Sequence, residues 1–384
     1  MKLSLKVLAA VVLWCAGSAG LAQNLPSSTR HVKVYGEEGK FAGWPANWGM
    51  WNWGNEILVG YTRANHLDKS GHTYDNASAV AQFSRSYDGG KTWTEESALE
   101  HGITHATWEH HIGTKETKVL KEKINFKHPD FALTFRMHSE LYGPTSFYYT
   151  YNRGKQWIGP FPLELDFTGP KPEGIVSRTD YTVEGKHKMT AFITVGFKEG
   201  EKTNWRQVAC IETRDGGKTW KQKSWIGEPK INSIMPSSLR IDKNTLLSVI
   251  RRTAPPRMVS FLSKDNGKTW KQLEDPVKVD ANGHPPAVVK LKDGRLCMVY
   301  GIRYEKTMPD GIGMYVVFSK DNGLTWGSPT LLRGKDGGTW DIGYPRALVL
   351  PDGKVLTTYY YNQAGQGDKY RYIAATIFNP EEYE

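Results

Sequence analysis

An eight-residue pattern that recurs along the chain constrains its fold more than any other feature. The pattern is Ser-Xaa-Asp-Xaa-Gly-Xaa-Thr-Trp, and one good copy has Thr in place of the first Ser. Within each copy, the Asp can hydrogen-bond back to the turn, Gly can take the left-handed conformation, and Thr and Trp begin the next strand. Each copy therefore predicts a tight β-hairpin. The four good copies are 86–93, 213–220, 263–270 and 319–326, and 150–157 is a degenerate fifth.

The spacing of these hairpins indicates a β-propeller. The Asp or Asn of successive copies are 50 to 64 residues apart, and long helical periodicity is missing between them. Repeats of about this length, each forming a small antiparallel sheet, are typical of propeller blades. We therefore predict an all-β fold in which residues 23–384 form a single β-propeller. Seven blades are favoured and six are the alternative, because the spacing fits both.

The N-terminal segment predicts export. Lys2 and Lys6 precede an apolar stretch, 7–15, and small residues follow as far as Ala22. This arrangement is typical of a secretory signal peptide over residues 1–22, and a buried N-terminal helix is the alternative. Its removal would change the formal net charge from +10 to +8, because it contains two lysines and no acid. We expect a secreted or periplasmic protein with no membrane span, since no apolar run approaches the roughly 20 residues that a span needs.

Cysteine and histidine usage predicts no cofactor. Cys210 and Cys297 are too few for a disulfide framework, and they could form one bond or remain two buried thiols. The spacing of His and Cys matches no zinc motif, and there is no P-loop. We predict no metal site and no required cofactor, although a structural calcium ion in the propeller channel is an option without a supporting motif. Scattered lysines and the lack of a binding motif argue against nucleic acid.

The repeated hairpins resemble the Asp boxes of the sialidase (BNR-repeat) superfamily. The resemblance implies that the boxes lie at the blade periphery, away from the central pocket, so their Asp and Trp residues are structural. It also implies that a sialidase would open with an Arg-Ile-Pro-like motif. This chain has residues 28–33, Ser-Thr-Arg-His-Val-Lys, at that point. The sialidase assignment therefore lacks its most diagnostic feature.

A second resemblance covers nearly the whole mature chain. Seven segments look like a group of secreted seven-bladed propellers that act on rhamnose–glucuronate linkages: ulvan lyases, lyases active on gum arabic and arabinogalactan, and an α-L-rhamnosidase family. In the rhamnosidase branch a catalytic His follows the Pro-Ala-Asn segment, where this chain has Trp48. An indole cannot exchange protons as an imidazole does, so this departure favours the lyases. The segments are 41–47, 53–56, 128–132, 178–181, 283–286, 300–303 and 343–346.

The chemistry of a lyase predicts which residue types form the site. Removing the C5 proton of a uronate requires a cation for the carboxylate, a base, and an acid for the leaving oxygen. The resemblance implies two His, a Tyr and an Arg, and Arg side chains also suit planar carboxylates. Strand alternation would send only one of the adjacent His110 and His111 inward. The catalytic candidates are His110, His128, Tyr181 and Arg206, and the substrate-binding candidates are His111, Arg178, His284, Arg303, Tyr344 and Arg346.

These candidates predict a carbohydrate-active enzyme, with a polysaccharide lyase favoured over a glycoside hydrolase. We expect a monomer that binds an acidic plant or algal polysaccharide or oligosaccharide and releases a rhamnose cap by β-elimination at glucuronate. The alternatives are a hydrolase, either an α-L-rhamnosidase or, less favoured, an exo-sialidase, and a non-catalytic glycan-binding propeller. The lyase hypothesis requires His128, Tyr181, Arg206 and Arg346 to converge around one funnel.

Overall fold

Strands make up nearly all of the regular structure. The computed structural model describes residues 25–69, 71–104, 117–137, 143–199, 203–278, 284–303, 311–334, 336–363 and 371–383. Within these ranges, three short 3-10 helices span Pro45–Asn47, Asn76–Ser78 and Pro380–Tyr383. The strands are β1 (Arg30–Tyr35), β2 (Lys40–Gly43), β3 (Gly49–Trp53), β4 (Glu56–Asn65), β5 (Val80–Ser86), β6 (Thr94–Ser97), β7 (Ala132–Met137), β8 (Thr145–Thr150), β9 (Ile158–Pro162), β10 (Gly174–Ile175), β11 (Tyr181–Gly185), β12 (Lys188–Glu199), β13 (Thr203–Thr213), β14 (Lys221–Ile226), β15 (Ser233–Arg240), β16 (Leu246–Thr253), β17 (Pro256–Ser263), β18 (Lys271–Gln272), β19 (Ala287–Lys290), β20 (Leu296–Ile302), β21 (Gly313–Ser319), β22 (Thr330–Arg333), β23 (Gly343–Val349), β24 (Val355–Tyr361) and β25 (Tyr372–Phe378).

The described strands form six antiparallel sheets, which are the six blades of a β-propeller. Blade 1 contains β2 to β6, blade 2 β7 to β9, blade 3 β10 to β14, blade 4 β15 to β18, blade 5 β19 to β22, and blade 6 β23 to β25 together with β1. The all-β propeller prediction is confirmed, and six blades, the alternative, are correct where seven were favoured.

The blade count follows from how the propeller closes. In blades 1 to 5 an Asp box joins the last two described strands of the blade, as between β5 and β6. In blade 6 the outermost strand is β1, which pairs with β25 from Arg30 opposite Ile377 onward. Because those two strands lie at opposite ends of the chain, no hairpin can join them. Five boxes therefore correspond to six blades.

Hydrogen bonds inside each Asp box explain its local sequence. Asp88 Oδ1 accepts from the backbone N–H of Thr92 at 2.9 Å, and the Thr92 hydroxyl donates to Oδ2 at 2.7 Å. Although slight burial opposes the shift, these bonds hold the pKa of Asp88 at about 2. In the degenerate box, Asn152 Oδ1 accepts from Gln156 N at 2.9 Å in the same way. The boxes are structural turns, as the resemblance implied.

The box tryptophans pack between neighbouring blades. Trp157 of blade 2 stacks on Phe83 of blade 1, with ring centroids 5.9 Å apart. Trp220 of blade 3 contacts Phe135 of blade 2 edge-on at 6.1 Å. Aromatic pairs in these geometries stabilise beyond their buried area. The repeated Trp therefore joins a blade that has an Asp box to the blade before it.

Both cysteines of the described chain are buried free thiols. Cys210 lies in β13 of blade 3 and Cys297 in β20 of blade 5. Burial raises the pKa of the Cys210 thiol to about 12, which makes it a poor nucleophile. Of the two options that the sequence left open, separate thiols are correct. No helix of the described residues is long and apolar enough to cross a membrane.

Candidate active site

A cavity of about 290 Å³ lies in the channel between the innermost strands of blades 1, 3 and 6. We call it the central cavity. The innermost strand of blade 1 is interrupted by the helix Pro45–Asn47, and the cavity lies on the β3 side of this helix. Its lining residues are Gly49, Met50, Trp51, Asn52, Phe131, Thr179, Asp180, Tyr181 and Arg346.

Asp180 provides a buried carboxyl group in this cavity. The residue is only 7% exposed, and its Oδ1 accepts from the backbone N–H of Ser238 at 3.3 Å. Its Oδ2 is buried and has no hydrogen-bond partner among the described residues. Burial raises the pKa of Asp180 to about 7, although the positive charge of Arg346 acts in the opposite direction. Such a carboxyl group can gain or lose a proton near neutral pH.

Tyr181 provides a hydroxyl group whose orientation is fixed. Its oxygen accepts hydrogen bonds from Trp51 Nε1 and from the backbone N–H of Leu133, both at 3.2 Å. Burial raises the pKa of Tyr181 to about 12, so the hydroxyl stays protonated at neutral pH. Because two donors occupy its lone pairs, the hydroxyl interacts with further groups chiefly as a donor.

Arg346 provides a fixed cation. Its Nη2 donates to the carbonyl oxygens of Ala46 at 2.7 Å and Thr179 at 2.5 Å. Its Nε is buried and has no partner within the described ranges. Burial lowers the pKa of Arg346, and the carboxyl group of Asp180 opposes that shift. The guanidinium group is therefore held by the backbone, while its buried Nε–H has no acceptor among the described residues.

Trp48 is a core residue rather than part of the cavity lining. It is 2% exposed, and its Nε1 donates to Thr62 Oγ1 at 3.0 Å. The guanidinium carbon of Arg136 lies 3.0 Å from the centroid of the indole. Burial of this arginine lowers its pKa to about 9. Trp48, which stands where the rhamnosidases have a catalytic His, thus has a packing role in this protein.

Sequence comparison assigns the family. Residues 147–356, more than half of the chain, match the BNR repeat-like domain family (BNR_2). The chain belongs to this family. The match supports the resemblance of the repeated hairpins to those of the BNR-repeat superfamily. A search of curated protein sequences finds no significant match.

Solved structures share the fold of this BNR repeat-like protein at low sequence identity. A Dyadobacter fermentans DSM 18053 protein of unknown function has a TM-score of 0.68 and 20% identity, over 92% of this chain and 99% of that one. A Hadza microbial sialidase has a TM-score of 0.60 and 13% identity, over 91% and 69%. An α-L-arabinofuranosidase from Fusarium graminearum has a TM-score of 0.55 and 14% identity, over 92% and 99%. At these identities the likeness shows the fold alone.

The BNR repeat-like propeller brings two of the four expected residues together. Tyr181 and Arg346 line the central cavity, whereas His128 and Arg206 do not. His128 lies in a turn before β7, where its Nδ1 accepts from Asp130 N at 3.2 Å and its ring is 4.6 Å from that of Tyr151. This turn is at the Asp-box end of blade 2.

Arg206 lies far from Tyr181 because of strand register. Tyr181 pairs with Ala191 on β12, and Arg206 pairs with Gly196, five residues further along the same strand. At about 3.3 Å per residue, this offset is about 16 Å. The Arg206 guanidinium instead approaches Asn232, at 3.4 Å. The expectation that all four residues converge around one funnel is therefore wrong.

The remaining candidates lie in other parts of the channel or outside the described residues. Arg303 and Tyr344 are at the end where the innermost strands begin, with the Arg303 guanidinium carbon 5.1 Å from the Tyr344 ring centroid. Arg178 Nε donates to Asn47 Oδ1 at 2.6 Å and so supports the helix beside the cavity. His284 is 1% exposed and lies three residues before the start of β19. His110 and His111 lie outside the described residues.

Sequence reasoning missed Asp180 and Trp51. Asp180 belongs to the 178–181 segment that carried the resemblance, so the segment was found without its carboxyl group being recognised as functional. Trp51 belongs to a Trp-rich stretch in which the sequence alone does not separate core from cavity positions. Among the described residues, no group of three or more His, Cys, Asp or Glu side chains is arranged to hold a metal ion.

Proposed function

We propose that this protein is a carbohydrate-active enzyme that cleaves an acidic glycan in the central cavity by β-elimination at a uronate. One observation carries the proposal: Asp180, Tyr181 and Arg346 line the same cavity. They supply a base, an acid and a cation, which are the three groups that the reaction requires.

Each residue has a role that matches its environment. Arg346 Nε binds the substrate carboxylate and stabilises the charge that develops when C5 loses its proton. Asp180 Oδ2, which has no protein partner among the described residues, accepts this proton. The C5–H electron pair forms the C4–C5 double bond, and the C4–O bond breaks with its electrons on oxygen. Tyr181 donates a proton to that oxygen.

The size and lining of the cavity suit one sugar unit. A volume of about 290 Å³ is at the small end of ligand sites. Trp51, Met50 and Phe131 provide an apolar wall beside the polar groups. Asp180, Tyr181 and Arg346 of the cavity lining lie in segments 178–181 and 343–346. The carbonyl group of Ala46, in segment 41–47, holds Arg346. All three segments resemble the rhamnose–glucuronate lyases. We therefore propose a terminal rhamnose–glucuronate linkage as the substrate.

A glycoside hydrolase is the second candidate, and the pKa of Asp180 favours it in one respect. With a pKa of about 7, this carboxyl group is partly protonated at neutral pH and could donate to a glycosidic oxygen. Hydrolysis by the usual mechanism needs a second carboxylate about 5 to 10 Å away. Asp180 is the only acidic side chain among the described lining residues. The residues that line the cavity therefore supply the groups for elimination, whereas hydrolysis would need a second carboxylate in addition.

The identity of the product distinguishes the candidates. The purified protein is incubated with gum arabic and, separately, ulvan, while the absorbance band of unsaturated uronate and the release of free rhamnose are followed. We expect unsaturated uronate to form with the wild type. Free rhamnose without unsaturation would indicate the hydrolase, and glycan binding without either product would indicate a non-catalytic binding protein.

A further inference from the structure

A second group of polar and aromatic side chains lies on the other side of the helix Pro45–Asn47 from the central cavity. Trp44, which precedes the helix, contacts the His72 ring edge-on at 5.2 Å and the Tyr360 ring at 6.4 Å. Gly49, which follows the helix, lines the central cavity. The helix therefore separates two regions of the channel. We call the region around His72, Trp340 and Asp341 the upper site.

The position of the His72 ring is fixed by a buried carboxylate. His72 Nδ1 lies 2.7 Å from Asp341 Oδ1, and Asp341 is 1% exposed. The same carboxylate accepts from the Tyr360 hydroxyl at 2.5 Å and from Arg371 Nε at 3.3 Å. In the neutral imidazole, a carboxylate at Nδ1 keeps the proton on that nitrogen and leaves Nε2 as an acceptor. Since the His72 side chain is 31% exposed, a ligand can reach the ring.

Aromatic rings border this histidine. The half-buried Trp340 has its ring centroid 5.8 Å from that of His72, and the Arg303 guanidinium carbon lies 5.6 Å from the Trp340 ring centroid. Small-molecule sites combine such apolar walls with a few fixed polar groups. A sugar ring suits such a site, because its C–H groups pack on aromatic rings and its hydroxyl groups form hydrogen bonds.

The backbone around the upper site has an unusual conformation. Trp44, Met235 and Tyr344 have φ values of 60°, 56° and 53°, although none of them is glycine. Trp44 lies where the helix interrupts the innermost strand of blade 1, Met235 and Tyr344 lie near the start of those of blades 4 and 6, and all three pack in one cluster. Bulky residues adopt this left-handed conformation only where the surrounding structure enforces it, and such positions concentrate at binding sites.

We propose that the upper site is a second saccharide site, in which a pyranose ring packs against Trp340 and one of its hydroxyl groups donates to His72 Nε2. Asp341 is a positioning residue, because it acts through His72. This site is distinct from the central cavity and needs no turnover there. A glycan could therefore be held at both ends of the channel.

Indole N–H resonances in NMR spectra test the two sites separately. Trp340→Phe and Trp51→Phe variants assign the two signals, and the wild-type protein is titrated with L-rhamnose and with D-glucuronate to about 10 mM, enough to detect a Kd near 1 mM. We expect the Trp340 signal to shift and saturate with at least one sugar. The shift should persist in Asp180→Asn and disappear in His72→Ala, whose remaining spectrum should match that of the folded wild type.

The outcomes separate this inference from the proposed function. A Trp340 signal that moves with neither sugar, or that moves equally in His72→Ala, would overturn the upper site. A Trp51 signal that stays fixed while the Trp340 signal moves would instead count against the central cavity. If His72→Ala fails to fold, Asp341→Asn provides the same test, because it removes the group that orients His72. A weakened shift of the Trp340 signal is then the expected result, and an unchanged shift would contradict the inference.

Discussion

Asp180 and Arg346 line the same cavity, and each keeps one buried polar atom without a hydrogen-bond partner among the described residues: Oδ2 of the carboxyl group and Nε of the guanidinium group. Buried polar atoms in folded proteins are nearly always paired, and exceptions call for an explanation. A substrate that donates to the first atom and accepts from the second would pair both. The predictions below follow from this arrangement.

The stability of the protein should depend on the ionisation of Asp180. Its pKa of about 7 lies above the value of about 3.9 expected in the unfolded chain. The stabilisation from protonated Asp180 is therefore complete below about pH 4 and is lost as the pH rises to about 7, with an upper limit of about 4 kcal/mol. In Asp180→Asn this loss should be absent. Thermal unfolding of both proteins from pH 4 to 8 should show a Tm difference that grows in favour of the variant, and parallel Tm curves would contradict the prediction.

Tyr181→Phe should reduce both activity and stability. Removal of the hydroxyl group takes away the proposed acid, for which a loss of about 100-fold or more in kcat is expected. It also leaves Trp51 Nε1 and the Leu133 N–H without an acceptor, at about 1 to 3 kcal/mol each. Steady-state kinetics and urea unfolding measure the two effects. Tyr149→Phe, at a half-buried tyrosine of β8 outside the cavity lining, is the matched control and should keep full activity.

Arg346→Lys should weaken recognition of an acidic substrate. A lysine keeps the charge, but its single ammonium group cannot bind both the Ala46 and Thr179 carbonyl oxygens and also replace the Nε–H of Arg346. We expect kcat/KM to fall about 10- to 100-fold, which corresponds to the loss of one charge-assisted hydrogen bond. Arg257→Lys, at an exposed position of β17, serves as the control. Equal kcat/KM values for the two variants would argue against a role of Arg346 in binding.

Trp48→His should not create rhamnosidase activity. The indole is buried beneath Arg136, so an imidazole at this position would face the core instead of the central cavity. The substitution should destabilise the fold by about 2 to 5 kcal/mol, as other large-to-small core changes do. Chemical denaturation and an assay for free rhamnose check both parts, with half-buried Trp53→His for comparison. Rhamnose release in excess of unsaturated-uronate formation, seen in Trp48→His and not in the wild type or Trp53→His, would contradict this account.

Local chemistry explains why most of the fold could be predicted from sequence. An Asp box closes its hydrogen bonds within a few residues, as Asp88 and Thr92 do, so the pattern can be recognised without knowledge of the rest of the molecule. The number of blades depends on the pairing of β1 with β25, which joins opposite ends of the chain. No local pattern records that pairing, and the favoured count of seven blades was therefore wrong.

Tertiary contacts explain why only part of the site could be predicted. Tyr181 and Arg346 could be named because family-like segments contain them. The pKa of Asp180 depends on burial and on Ser238 and Arg346, which come from blades 4 and 6. The exclusion of Arg206 depends on the register of β12 against β13. Burial and register are both set by contacts between distant segments, which sequence alone does not reveal.

The initial rate of unsaturated-uronate formation as a function of pH tests the central claim most directly. The rate with gum arabic is measured from pH 5 to 9 for the wild type, for Asp180→Asn and for Asp166→Asn, a control at an exposed aspartate. The wild-type and control rates should rise through about pH 7 as Asp180 loses its proton and then level off, since the pKa of Tyr181 is about 12. Asp180→Asn should lack this rise and should be slower by about 100-fold or more at high pH, where the wild-type rate has levelled off. Unsaturated product formed by Asp180→Asn at the wild-type rate would contradict the assignment of Asp180 as the base.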